Sequence, residues 1–510
     1  MAYLAGGFPR FLKTPVTYDQ AVDDIRWRME NRDSCFAALA RRLIYDVPLS
    51  PYRKLLLWAG CEYSDLIDSV KTLGIEKTLE QLRDAGVYLT LDEFKSRIPI
   101  SRPGLTLKTC ESDFDNPLVV GRAYQASSSG SRGHGTRGAY DWALLAEESA
   151  HELLLYKMHD VLDAPLALWF PVPPGAAGIG NLMFNLKMGR PPEKWFSHTP
   201  TGAAMSIERR LALEFLHWAG RCSGVTVVRP DFADLAHADK VLAWLAEARR
   251  RRGAGVVRSY GSSVVRIAEL ALESGMDISG CVLFSGGEPL TEHRKRFIES
   301  TGAKVFPRYI TVEAGLVAAA CPSCSSADDM HFYKDRLALI QRAGSFLYTS
   351  LRLHTSKVMF NTEMGDRGKL TTKRCGCLFT ELGFDVHMSK VRSDEKLTVE
   401  GMTLLMSELH AAISIAIEDA GGKPDSYQLW QTRDEHGLNR VVIAVNPEMK
   451  GIDETGLIRT VLHNLQRAGP GSGLASDLWR QADTFQVVRE QPRMTKGHKM
   501  PGGIKLAGPR

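Results

Sequence analysis

The stretch SSSGSRGHGTR, residues 127 to 137, joins glycines and hydroxyl residues to two arginines and a histidine. Glycines permit positive φ, and successive N–H groups turned toward one point form an anion-binding nest. Ser and Thr hydroxyls add donors, and Arg132 and Arg137 add charge suited to phosphate. The same composition suits a solvated linker, and the Gly-Lys-Ser/Thr ending of the common nucleotide loop is missing. Two close cysteine pairs stand downstream, Cys321 with Cys324 in ACPSC and Cys375 with Cys377 in RCGC. Two thiolate pairs can close a tetrahedral zinc site, and His331 could replace one cysteine. Four unrelated buried thiols would give the same spacing. Cys35, Cys61, Cys110, Cys222 and Cys281 lie among apolar neighbours and read as core. RRRR at 249–252 ends a helical pattern, where cations complement the helix dipole, so it reads as a solvated face.

These groups need elements to hold them. A chain of 510 residues is too long for one core and predicts at least two domains. A hydrophobic share of 44% with 24% charged residues is that of a globular protein, and a net charge of +5 spread over this length does not argue for nucleic acid. The start lacks a signal-peptide core and no run of about 18 apolar residues occurs, so neither a leader nor a membrane span is expected and the cytoplasm is the expected compartment. Without secretion, nine cysteines do not imply a disulfide framework.

Residues up to about 115 predict a helical lead-in, with a capped helix in TLDEFKSRIPI stopping before Pro99. From about 117 strands alternate with helices. PLALWFPVP, VTVVRP, GAGVVRSYG, CVLFSGG and AKVFPRYI read as strands, and ALLAEESAHELLLYKMHDVL, SIERRLALEFLHWAG, ADKVLAWLAEARRRRG, SVVRIAELALESG and TEHRKRFIESTG as helices. This alternation predicts an α/β sheet covered on both faces, with ligands at the carboxyl ends of its strands. Trp169, Phe170, Phe184 and Trp195 read as core. After about 388 two strands, SYQLWQTRD and NRVVIAVNP, with helices MSELHAAISIAIED and ETGLIRTVLHNLQRAG and a last strand in DTFQVVREQP, predict a small α+β unit. The predicted organisation is a large domain over 1–389, helical lead-in included, joined by a hinge to a small mobile domain over 390–510. The basic, glycine-rich tail reads as a flexible end.

Six stretches in one order carry a resemblance. SSGSRGHGTR is followed by FSGGEP, YITVE, NTEMGDRG and VRSDEKLTVEG, with PRMTKGHK near the end. The series resembles the adenylate-forming superfamily, closest to its phenylacetate–CoA ligase branch, and covers residues 127 to about 500. By that resemblance Ser128, Ser129, Gly130, Ser131, Arg132 and Gly133 form the triphosphate loop, and Gly286, Gly287, Glu288 and Pro289 the turn that holds adenine. Tyr309 joins the nucleotide site, Thr311 meets phosphate, and Glu313 binds Mg²⁺. Asp366 takes the ribose hydroxyls, a role that suits a carboxylate. Arg392 reaches the nucleotide and Asp394 is the hinge. Lys499 is the catalytic lysine, with Lys496 and Lys505 as alternatives because PRMTKGHK is one residue out of step. Tyr260, Gly261 and Ser285 line the acyl pocket. Some members of the branch carry a metal near the cysteine pairs.

The resemblance implies ATP-dependent activation of a small carboxylic acid, aryl or arylacetic, as the acyl-adenylate, then thioester formation with coenzyme A. ATP, Mg²⁺ and coenzyme A are the implied cofactors, with structural Zn²⁺ a further one. An amine or a carrier-protein thiol, as in natural-product enzymes, is the alternative acceptor, and a non-catalytic nucleotide-binding relative is a third reading. Neither nucleic acid nor membrane is an expected partner, and monomer and homodimer both stay open. Three positions depart from the pattern: Ile310 where a glycine follows the tyrosine, Val312 where a Ser or Thr is usual, and Arg132 where Thr is common.

Overall fold

Capping residues set the first helices. Thr17 and Gln20 cap Tyr18–Glu30 reciprocally, and Ser50 followed by Pro51 starts Pro51–Trp58. Thr90 and Glu93 do the same for Leu91–Phe94, but that helix is a single turn. Ser96, at φ 54°, turns the chain away well before Pro99. The computed structural model describes residues 2–119, 124–127, 137–173, 175–201, 207–393, 396–421, 426–447, 449, 453–467, 470–490 and 503–505.

A short hairpin, β1 (Ile100–Arg102) with β2 (Leu105–Leu107), closes the lead-in. A second, β3 (Tyr124–Ser127) with β4 (Arg137–Tyr140), is the stem that carries the glycine-rich loop. Six parallel strands follow: β5 (Leu166–Trp169), β6 (Lys194–Ser197), β7 (Pro230–Phe232), β8 (Val256–Tyr260), β9 (Val282–Gly286) and β10 (Lys304–Thr311). Six antiparallel strands extend the same sheet: β11 (Gly315–Ala319), β12 (Met330–Phe332), β13 (Leu337–Arg342), β14 (Ser345–Ser350), β15 (Thr362–Thr372) and β16 (Val386–Arg392). Their order is β13-β14-β15-β16-β12-β11-β10-β9-β8-β5-β6-β7. From β5 the chain builds outward to β7, then returns to lay β8, β9 and β10 on the other side. The strand order therefore reverses between β5 and β8, and a crevice opens at such a point outside the carboxyl ends.

Both faces of the parallel half are covered, as the alternation predicts. Leu166, Leu168, Val256, Val282 and Phe284 face one core; Ala167, Trp169, Val257, Leu283 and Val305 face the other. The lead-in packs Phe36, Leu39, Leu55 and Leu79 against Leu339, Leu347 and Met364 of the antiparallel half. Trp169, Phe170, Phe184 and Trp195 are buried core residues. The arginines at 249–251 pair with Asp277, Glu247 and Glu193, so that helix end is a neutralised, solvated face.

Several expectations differ. Cys110 and Cys222, read as core, are exposed. VTVVRP is not a strand; the ladder begins at Pro230, where β7 meets β6. A helix, Ala176–Lys187, and β6 fill the region left unassigned after β5. Its glycines hide that helix, because glycine is a poor helix former. Packing requires one of them: a Cβ on Gly178 would stand 2.5 Å from the Pro171 carbonyl and 2.7 Å from the Trp195 ring.

The C-terminal unit holds a hairpin, β17 (Lys396–Val399) with β18 (Met402–Leu405). It also holds a four-stranded sheet of β19 (Tyr427–Arg433), β20 (Asn439–Val445), β21 (Phe485–Arg489) and β22 (Gly503–Lys505). Helix Met406–Asp419 matches the expected span, and Pro470–Gln481 is an additional helix. Among the described residues no helix is long and apolar enough to cross a membrane.

Beneath the parallel strands lies a buried ionic cluster. Glu152, 1% exposed, forms an ion pair with Arg258 of β8 at 2.7 Å and accepts a hydrogen bond from Arg308 of β10. Arg258 also donates to the Tyr156 hydroxyl at 2.7 Å. Burial alone would raise the Glu152 carboxyl; the two guanidinium groups outweigh it and hold the carboxyl below its usual range. Glu152→Ala leaves two buried cations without their shared carboxylate. It should cost about 3–5 kcal/mol, read as a lower midpoint of urea unfolding; an unchanged midpoint would contradict this account of the sheet.

Candidate active site at the carboxyl ends of the strands

Tyr260 ends β8 at the reversal point and is followed by helix Gly261–Ser274. Phe170, just beyond β5, meets its ring edge-on at 5.1 Å. His198 stacks on Trp169 at 4.8 Å and lies 5.7 Å from the Tyr260 ring. The His198 Nε2 is 3.1 Å from Ser263 Oγ, while its buried Nδ1 has no partner among the described residues. Burial, with Arg266 nearby, pushes the imidazole down to about 3, so it is neutral at physiological pH. Ser285, paired with Ser259 across β8 and β9, carries a second buried hydroxyl without a partner among the described residues. Tyr260, Gly261 and Ser285, expected to line an acyl pocket, thus meet at one strand end. His198 was not legible in the sequence, because nothing in HTP marks it.

The GGEP turn follows β9. Gly287 has φ 73°, and a Cβ there would lie 3.1 Å from the Tyr260 ring and 3.2 Å from Gly401 Cα, so only glycine fits. Glu288 is buried and fully engaged. Ser262 Oγ donates to it at 2.6 Å, Arg294 at 2.7 Å and the Gly401 N–H at 2.7 Å. Its carboxylate joins elements together.

The stretch after β10 brings the other expected residues together. The Tyr309 hydroxyl donates to Asp366 Oδ2 at 2.6 Å. That hydroxyl is also 3.2 Å from the Tyr348 hydroxyl. Since the single Tyr309 proton goes to Asp366, Tyr348 is the donor in the second contact. Thr311 Oγ1 accepts from the Ala314 N–H at 3.0 Å. Val312 brings no hydroxyl, but Ser356 Oγ donates to the Val312 carbonyl at 2.9 Å. Gly138 of β4 packs against both, since a Cβ there would be 2.5 Å from the Val312 oxygen and 2.6 Å from Ser356 Oγ. Tyr140 donates to the same carbonyl at 3.3 Å. The loop stem is therefore anchored on the Thr311–Glu313 turn. Ser128 to Gly133 lie outside the described residues.

Glu313 Oε1 is 2.6 Å from Lys95 Nζ, and both side chains are mostly buried. Lys95 follows the one-turn helix of the lead-in, 218 residues from Glu313, so no local pattern marks it. A carboxylate oxygen suits Mg²⁺, which commonly takes one or two protein carboxylates with substrate phosphates, so Glu313 fits that role.

Arg392 pairs with Asp328 at 3.1 Å, and Ser393 Oγ donates to the Gly365 carbonyl at 2.7 Å. The end of β16 thus runs beside the strand that carries Asp366, with Arg367 opposite Arg392. Asp394, Lys496 and Lys499 lie outside the described residues. Lys505 ends β22, opposite Gln431 of β19.

The cysteine pairs converge behind the antiparallel strands. Cys321 Sγ lies 3.5 Å from Cys324 Sγ and 3.6 Å from Cys375 Sγ. His331 Nε2 lies 3.4 Å from Cys375 and 3.3 Å from Cys377. Its Nδ1 is 2.7 Å from the Phe384 carbonyl, which makes Nδ1 the protonated nitrogen and leaves Nε2 as the donor atom. Cys321, His331, Cys375 and Cys377 form one group whose donor atoms all lie within 4.8 Å of one another. Cys324 falls in a second such group with His331 and His387. Tetrahedral Zn–S bonds of about 2.3 Å place ligand atoms within about 4 Å of one another, so the first group fits zinc.

No family model matches the chain, and no curated protein matches it. Among solved structures it is similar to a 2-hydroxyisobutyryl-CoA ligase in complex with 2-HIB-AMP and CoA in the thioesterification state. That match has a TM-score of 0.58 and 15% identity over 94% of this chain and 89% of that one. Weaker likenesses include an anthranilate CoA ligase with anthranoyl-AMP (TM-score 0.34, 13% identity, 83% of this chain and 74% of that chain). A fatty acyl-adenylate ligase from L. pneumophila gives TM-score 0.39 and 11% identity over 73% and 67%. The chain shares the fold of that 2-hydroxyisobutyryl-CoA ligase.

Proposed function

We propose that the protein is an ATP-dependent acid–thiol ligase of the phenylacetate–CoA ligase type. The observation that carries this reading is the Tyr309–Asp366 hydrogen bond beside Glu313, which unites two separate sequence stretches at the strand ends. The acid lies against Tyr260, Gly261 and Ser285. Its carboxylate attacks the α-phosphorus of ATP, the bond to pyrophosphate breaks, and the acyl-adenylate forms. Asp366, its plane set by Tyr309, accepts the ribose hydroxyls. The loop at 128–133 takes the terminal phosphates, with Thr311 and Ser356 at its base. Glu313 would hold Mg²⁺, which would supply neutralising charge to the phosphates. Lys499 adds charge from the tail, and Arg392 reaches the nucleotide. The C-terminal unit, from about residue 390, turns about Asp394, and the thiol of coenzyme A displaces AMP. Placement and charge stabilisation account for most of the rate.

The direct test is ATP–pyrophosphate exchange over a diverse panel of acids, followed by acyl-CoA formation with the best acid. Acid-dependent exchange with acyl-CoA product is expected. Exchange without acyl-CoA would replace coenzyme A by an amine or carrier protein as acceptor, and no exchange with any acid would end the ligase reading. Asp366→Asn should raise KM for ATP about tenfold or more, since hydrogen bonds to a charged group contribute about 1.5–3 kcal/mol. An unchanged KM would remove Asp366 from the ribose site.

We also propose that Cys321, His331, Cys375 and Cys377 hold a structural zinc ion, with Cys324 beside them. The ion would join the loops after β11 and β15 to β12. Purified protein should contain about one zinc per chain and lose it in Cys375→Ser. Absence of stoichiometric zinc from the unaltered protein would contradict the proposal.

A further inference from the structure

The seam between the strand ends and the C-terminal unit is built from buried charge. The turn of the β17–β18 hairpin, Glu400 and Gly401, points into the large sheet. Both residues have positive φ, 53° and 71°. A Cβ on Gly401 would stand 2.0 Å from the Tyr260 ring, so the backbone itself covers that ring. Glu400 is 1% exposed and pairs at 2.8 Å with Arg266 of helix Gly261–Ser274. Next to this pair, Arg294 donates from one nitrogen to Glu288 and from Nε to the Gly437 carbonyl, at 2.7 and 2.8 Å. Gly437 belongs to the turn between β19 and β20. His293 Nε2 reaches the Glu435 carbonyl at 2.9 Å, and His436 reaches Glu269 at 3.2 Å.

Buried pairs also stand in the interior of the large sheet, as at Glu152; at this seam the partners come from two units. Replacing a buried ion pair by well-packed apolar groups is often neutral or stabilising. At a contact that opens, both partners regain water on separation, and the charges serve registry and reversibility instead. Glu400 also holds a left-handed backbone that a non-glycine residue rarely adopts, a local cost that docking must offset. Across the seam its carboxylate meets Arg266, with the Ser262 hydroxyl of the same helix also in reach. Among the described residues, the hydrogen bond and ion pair of Arg266 and Glu400 join them to each other.

We propose that the Arg266–Glu400 ion pair is the latch that seats the Glu400–Gly401 tip on the Tyr260–Gly287 wall. Arg266 and Glu400 are then positioning residues for the acyl-transfer step and not for adenylation. The assignment to a step rests on the function proposed above; the latch itself does not.

Hydrogen exchange of the full chain tests the latch without any substrate. In Arg266→Ala and in the near-isosteric Glu400→Gln, amides at 398–403 and 434–438 should exchange at least about tenfold faster than in the unaltered protein. The double variant should be no faster than the singles, as for one shared interaction. Unaltered thermal midpoints for the large domain keep the comparison valid, and Glu400→Gln serves if Arg266→Ala does not fold. With an accepted acid, pyrophosphate exchange should stay within about twofold while acyl-CoA formation falls about tenfold or more. Unchanged hydrogen exchange in both single variants would overturn the latch. Parallel loss of pyrophosphate exchange and acyl transfer would overturn the assignment to one step. Absence of pyrophosphate exchange in the unaltered protein would count against the ligase reading and leave the hydrogen-exchange result to decide the latch.

Discussion

The Glu288 carboxylate is the interaction on which the arrangement of the strand ends depends. It accepts from Ser262 at the start of one helix, from Arg294 on the next, and from Gly401 in the C-terminal hairpin. A buried carboxylate is tolerable only where such donors replace its lost water. Each donor comes from a different element, so satisfying the charge fixes all of them relative to the GGEP turn. The tight fit of Gly287 between Tyr260 and Gly401 then follows from geometry.

The remainder of the fold divides its labour around this point. The reversal of strand order between β5 and β8 opens the crevice, and the Glu152 cluster ties β8 and β10 to helix Trp142–Met158 from below. The antiparallel half serves another purpose. It carries Asp366 to Tyr309, carries the cysteine group at its back, and gives the lead-in a surface on which Lys95 arrives at Glu313.

The periodic parts were readable from residues alone. Helix Met406–Asp419 was placed at its true bounds because its apolar pattern is uninterrupted. Strand β9 ran directly into the glycines that end it. Helix Pro470–Gln481 was missed because PGSG at its start carries turn residues. VTVVRP looked like a strand because apolar alternation speaks to exposure, while strand identity needs a ladder partner. At the candidate site, Tyr309, Glu313, Asp366 and Glu288 were marked by type and order. Lys95, Tyr348, Ser356, His198 and the Arg266–Glu400 pair were not, since each acts through a partner far along the chain. Nor could the sequence reveal that Glu288 is consumed by structural bonds, or choose between Cys324 and His331 as the donor beside Cys321, Cys375 and Cys377.

We propose that the ends of β9 and β10, with Asp366, form a nucleotide site. A crystal structure of the full chain with adenosine nucleotide bound tests it most directly. The ribose hydroxyls should lie within hydrogen-bond distance of Asp366 while Tyr309 still donates to the same carboxylate, with the phosphates running toward Glu313 and the β3–β4 loop. Nucleotide bound elsewhere on the chain, or a ribose turned away from Asp366, would contradict the account.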